Sequence, residues 1–220
     1  MGYHMAGFDV RGIDIEPQPN YPFKFRRQDA LTLSPKWIRK HFDVVVASAP
    51  CLGYTTLAAR YPHIHHDKLI PATRDLLAAT GLPYIIENVQ NARKELIEPI
   101  TLCGSSFGLR VRRHRLFESN VPLPTAPTCN HQWQDRDKRY FTRLSKVRGT
   151  SYPTGTVQVY GGSQHWQPAE FELPTHRGYN MHIASVAMGI DWMNQLELNQ
   201  AIPPVYTYWL GRQLHKWLLQ

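Results

Sequence analysis

Two apolar runs separated by one amphipathic segment constrain this chain more than anything else in it. The first, "FDVVVASAP" (42–50), is continuous and valine-rich and ends at Pro50. Branched apolar residues favour a buried strand, and proline cannot donate to a ladder, so the strand stops there. The second run, "LPYIIENV" (82–89), stays apolar until it meets Glu87 and Asn88. Between them, "LIPATRDLLAATG" carries Leu69, Leu76 and Leu77 and stops at Gly81, as an amphipathic helix does. Strand, helix, strand in that order predicts an α/β fold with a mostly parallel sheet and right-handed crossovers.

The upstream part extends the pattern. "FDVRGIDI" (8–15) reads as a strand with an acidic end, and "SPKWIRKHF" (34–42) as a short helix with Ser34 at the N-cap and Pro35 in the first helical position. Ligands of parallel sheets gather at the carboxyl ends of the strands, and Asp14, Cys51 and Glu87 all fall at such ends. In "RRHRLFES" (112–119), Arg113 and Arg115 are predicted to share one side of a strand. A thiolate is a nucleophile, a protonated glutamate donates to a ring nitrogen, and arginine fixes carbonyl or phosphate oxygens. Together these groups fit covalent attack on a heteroaromatic base. Against this, an isolated cysteine is more often a small buried apolar residue, Glu87 can be a cap, and two arginines can be a solvated face.

With 220 residues the chain can bury a substantial core. Three scattered cysteines do not make a disulfide framework, so reduced thiols and an intracellular, cytoplasmic setting are expected. The net charge of +8 favours a polyanionic partner. Periodic patterns fade after residue 120, where Pro, Thr, His, Gly and aromatic residues predominate. Order is expected to resume with "VAMGIDWM" and a last helix in "PPVYTYWLGRQLHKWLL".

"SAPCLGYT", "ENV", "RRHR" and "ELNQAIPPVYTYWLG", in that order and over nearly the whole chain, resemble the DNA (cytosine-5) methyltransferases, in particular compact bacteriophage forms. The resemblance implies a Rossmann-like, S-adenosylmethionine-dependent methyltransferase sheet with a small loop-rich lobe. Residues 1–120 would form the catalytic core, 121–185 the target-recognition lobe, and 186–220 a segment returning to the core. Cys51 would attack C6 of a flipped cytosine, Glu87 would hydrogen-bond N3, Arg115 would hold the base carbonyl, and Arg113 would orient the catalytic loop or a phosphate. Asp14 with Ile15 would bind the cofactor ribose and Asp29 the adenine amine, with Pro50, Gln200 and Ala201 in the same cofactor site. Duplex DNA is the implied partner, read by "DRDKRYFTRLSKVRG", and the protein is expected to be a monomer.

The sequence departs from the family pattern at Ala49, usually proline or an aromatic residue, and at Leu52, usually glutamine. In the family, a first strand and a glycine-rich loop precede the segment resembling "GYHMAGFDV", and that strand lies between those resembling "FDVRGIDI" and "FDVVVASAP". The natural product is therefore expected to carry about a dozen or more further residues upstream. The absent loop also leaves open a catalytically impaired nucleic-acid-binding protein, and RNA cytosine is an alternative substrate. No metal is expected. His63, His65, His66 and Asp67 match no standard zinc spacing, and Cys129 with His131 in "CNH" supplies only half a ligand set.

Overall fold

The computed structural model describes residues 1–55, 66–136, 159 and 181–220. In chain order the regular elements are helix α1 (Gly2–Met5), strands β1 (Arg11–Asp14) and β2 (Lys24–Arg27), helix α2 (Pro35–His41), strand β3 (Val45–Ser48) and helix α3 (Ile70–Thr80). Strands β4 (Tyr84–Asn88), β5 (Ile100–Leu102) and β6 (Arg115–Ser119) follow, then helices α4 (His131–Arg136), α5 (Met181–Met188), α6 (Gln195–Gln200) and α7 (Pro204–Leu218). Among the described residues, no helix is long and apolar enough to cross a membrane.

The chain divides into two compact units, each discontinuous in sequence. One comprises Asp9–Leu102, His114–Ala126 and Leu210–Gln220 and contains every strand among the described residues. Here β1 and β2 form a parallel pair, while a second sheet has the order β3-β4-β6-β5. Strands β3 and β4 are parallel, as the helix between them requires, whereas β6 runs antiparallel to both β4 and β5. The expectation of a mostly parallel sheet thus holds for two pairs and fails for the other two. The reason is pairing: the strand read in "RRHRLFES" returns as β6 antiparallel beside β4, and β5, with three residues, joins the sheet on β6. Strands β1 and β3 belong to different sheets, and β3 is an edge.

The burial pattern follows from these positions. Every residue of β4, an inner strand, is buried, whereas the edge strand β3 alternates, with Val46 38% exposed. Helix α3 buries Ile70, Thr73, Leu77 and Thr80, a three-four-three spacing that forms one face. That face joins a core with Ala49, Tyr54, Tyr84, Ile86, Ala92, Leu96 and Leu116, and Ile70 and Leu77 each contribute about 1.5–3 kcal/mol by leaving water. Gly81 ends the helix at φ +67°, a left-handed conformation that glycine adopts without strain. The polar exception in this core is a fork. Arg74 donates from Nε and Nη2 to the two carboxylate oxygens of Glu118, each at 2.7 Å, and Glu118 also accepts from the Ile97 N–H at 2.8 Å. The hydrogen bonds to Glu118 raise the Arg74 pKa.

The other unit comprises Met1–Phe8, Cys103–Arg113 and Pro127–Trp209. Its described core gathers Val111, Ala184, Ala187, Met188, Ile190 and Leu198. Helix α6 starts with a capping box, in which the Asn194 side chain accepts from the Leu196 and Glu197 N–H groups while Glu197 accepts from the Asn194 N–H. Helix α7, which opens on Pro204 and counts with this unit as far as Trp209 and with the first from Leu210, buries Tyr206, Leu210 and Leu214 at four-residue intervals, matching the helix read from the proline pair. Most of the expected 121–185 recognition lobe lies outside the described residues, as do His63 and His65.

Candidate active site

The parallel pairing of β3 with β4 sets Ser48 opposite Glu87, so both strands point their carboxyl ends the same way. Cys51 follows three residues after Ser48 and opens a single helical turn, Leu52–Tyr54, in which the Tyr54 N–H donates to the Cys51 carbonyl at 3.0 Å. Pro50 is exposed and Cys51 half-buried, a position open to a reactant yet fixed in backbone. Two side chains hold this turn. Asn88, 1% exposed, donates from Nδ2 to the Ala49 carbonyl at 2.9 Å and accepts the Val89 N–H at Oδ1. The Tyr54 hydroxyl accepts the Ile70 N–H at 3.0 Å and so satisfies a donor in the first turn of α3.

Glu87 and Arg115 meet directly. Arg115 Nε lies 3.1 Å from Glu87 Oε1, and both side chains are largely withdrawn from water. Arg115 Nη1 donates to the His114 carbonyl at 2.9 Å, and neither bond uses Nη2. An ion pair in such a place is strong only while both partners remain, because removal of one strands a desolvated charge. A half-buried thiol three residues past the end of β3, a carboxyl at the end of the neighbouring β4 and the guanidinium paired with it offer groups for nucleophilic attack, proton donation and recognition of an oxygen.

Arg113 precedes the strand. Strand β6 begins at Arg115, so the expected shared strand side is absent, and Arg113 belongs to the other unit. There its guanidinium donates to the carbonyls of Val159 and Asn199, while its own carbonyl accepts the Tyr206 hydroxyl at 2.8 Å. Gln200, the exposed last residue of α6, and Ala201, which caps that helix and packs against the Val111 cluster, are in the same unit as Arg113.

The remaining candidates cluster at the carboxyl ends of β1 and β2. Asp14 accepts the Glu16 N–H at 2.9 Å and Gln18 Nε2 at 3.3 Å, and Ile15, 59% exposed, accepts Arg27 Nε on its carbonyl at 3.0 Å. Asp29 caps the short turn Ala30–Thr32 and accepts the Leu31 N–H at 2.9 Å. A carboxylate offers about four acceptor positions, so both groups retain acceptor chemistry suited to sugar hydroxyls or an exocyclic amine. The reading from sequence assigned roles to neither Asn88 nor Tyr54. The signal for Asn88 is an amide at the end of an otherwise apolar run, since such a group stays buried only with partners.

No family model matches the chain, and no curated protein does. Solved structures do match. A triple-substitution variant of DNMT2 from Spodoptera frugiperda is 15% identical with a TM-score of 0.54, covering 100% of this chain and 96% of its own. The methyltransferase EhMeth from Entamoeba histolytica is 14% identical with a TM-score of 0.50, covering 96% of this chain and 99% of its own. The chain shares the α/β fold of these methyltransferases.

Proposed function

We propose that the protein is a cytosine-5 methyltransferase that uses S-adenosylmethionine and acts on duplex DNA. The observation carrying this reading is the Glu87–Arg115 pair one strand away from Cys51, with the Cys51 turn tied to β4 by Asn88. Cys51, as thiolate, adds to C6 of an extruded cytosine. Glu87, protonated in the complex, donates to N3 and draws electrons from C6, and Arg115 holds the base carbonyl. S-adenosylmethionine supplies the electrophilic methyl group that C5 accepts, with Asp14, Ile15, Asp29 and Pro50 as residues that would hold it. Loss of the C5 proton to a base then breaks the C6–S bond and returns the thiolate. The +8 charge suits a polyanionic substrate.

The test is transfer of labelled methyl from S-adenosylmethionine to duplex DNA and, in parallel, to structured RNA. Label in DNA that is absent with Cys51→Ala supports the reading. Label confined to RNA overturns the substrate, and absence of label from both overturns the activity.

A further inference from the structure

Outside the candidate active site, the structure assembles a set of soft ligands that the sequence disperses over 29 positions, from 103 to 131. The ligand atoms of Cys103, His114, Cys129 and His131 all lie within 4.8 Å of one another. Cys103, Cys129 and His131 belong to one unit, and His114 is joined to that unit by its peptide bond to Arg113. We propose that these four residues bind one zinc ion as a structural Cys2His2 site.

The geometry suits that ion. Tetrahedral zinc takes sulfur at about 2.3 Å and imidazole nitrogen at about 2.0–2.1 Å, which sets neighbouring ligand atoms roughly 3.4–3.8 Å apart. Cys103 Sγ already stands 3.3 Å from His131 Nε2. The backbones that carry the ligands are pinned to each other independently of the ligands themselves. Ser106 Oγ donates to the carbonyls of Pro127 and Thr128, each at 3.0 Å, the Asn130 N–H donates to Ser105 Oγ at 3.0 Å, and Trp133 Nε1 donates to the Ser105 carbonyl at 3.2 Å. These bonds flank Cys103 on one side and both Cys129 and His131 on the other. The turn after Cys103 has no room for a side chain, because a Cβ on Gly104 would stand 2.0 Å from the Val111 carbonyl oxygen.

The charge also balances. Zinc displaces one proton from each thiol and binds two neutral imidazoles, so Zn²⁺, two thiolates and two histidines make a neutral site, with two protons released. Neutrality matters because Cys103 is fully buried. Four protein ligands leave no open coordination position, which makes the ion a staple and not a reactant. It would clamp the turn Gly104–Phe107 to the start of α4, in a unit whose described apolar core is small. The "CNH" segment shows only half of this site because Cys103 and His114 reach it through the fold.

The full chain, prepared without a histidine tag and under reducing conditions, tests this by elemental analysis and by replacement of the metal with Co(II). One zinc per chain, a tetrahedral Co(II) d–d spectrum and a thiolate charge-transfer band are expected. Cys129 is exposed, so Cys129→Ser should fold and lose the charge-transfer intensity of one thiolate, while His114→Ala and His131→Ala should each shift the d–d bands. Cys51→Ala should leave the spectrum unchanged. A chain that takes up neither metal after reduction and supplementation, or a Co(II) spectrum indifferent to any of the four residues, would overturn the site.

Discussion

Asn88 Nδ2 donates to the Ala49 carbonyl at 2.9 Å, binding the end of β4 to the residue two before Cys51. This bond makes the position of Cys51 a property of the sheet. The amide serves both neighbours at once, because its Oδ1 also accepts the Val89 N–H.

Replacing Asn88 by Ala removes both bonds in a site that is 1% exposed, leaving buried groups unsatisfied. Stability should fall by about 1–3 kcal/mol in denaturant titration. The rate of Cys51 attack should fall on the order of 10²-fold, because a misplaced reactant loses that much without any change in the reacting groups. Stability loss with an unchanged attack rate would show that the bond does not position Cys51.

Glu87→Gln keeps an oxygen that can accept from Arg115 but lacks the acidic proton. Turnover should fall by about 10²–10⁴-fold with the denaturation midpoint close to that of the parent. Glu87→Ala should differ by also losing about 3–5 kcal/mol, since Arg115 is then left partly desolvated without its partner. Equal stability of the two variants would contradict the ion-pair account.

Arg113 holds the Val159 and Asn199 carbonyls, and a lysine cannot reproduce that fork. Arg113→Lys should lower stability by about 1–3 kcal/mol. If the midpoint is unchanged while turnover collapses, Arg113 acts on the substrate and not through the fold.

The Arg74–Glu118 fork lies in the core of its unit, with the Glu118 side chain 2% exposed. Glu118→Ala should cost about 3–5 kcal/mol, and a double-mutant cycle with Arg74→Ala should show strong coupling between the two. Additive losses would mean that the pair does not act as a unit.

How much of this was readable in advance depends on where the stabilising pattern lies. Strands β3 and β4, helix α3 and its Gly81 stop are legible because apolar period, proline and glycine act within a few residues. Even there, the buried face of α3 is Ile70, Thr73, Leu77 and Thr80, where the leucines alone pointed to Leu69, Leu76 and Leu77. Strand β6 is legible in "RRHRLFES" though its antiparallel direction is not, and β5 is not legible, since it is three residues long and owes its existence to pairing with β6. Within the site, the Glu87–Arg115 contact joins residues 28 positions apart, and its existence depends on β6 returning antiparallel beside β4. That Arg113 lies outside the strand is likewise invisible in "RRHR", where alternation implies a common side but the strand starts only at the last arginine, Arg115.

The central claim is that Cys51 forms a bond to C6 of cytosine, and the most direct measurement is covalent trapping on duplex DNA containing 5-fluorocytosine in varied sequence contexts with S-adenosylmethionine present. Fluorine at C5 blocks the proton loss that would release the enzyme. The account predicts a denaturation-resistant protein–DNA adduct, mapped by mass spectrometry to Cys51 and absent with Cys51→Ala. An adduct that persists in Cys51→Ala, or methyl transfer to ordinary cytosine without any adduct on the fluorinated base, would contradict it.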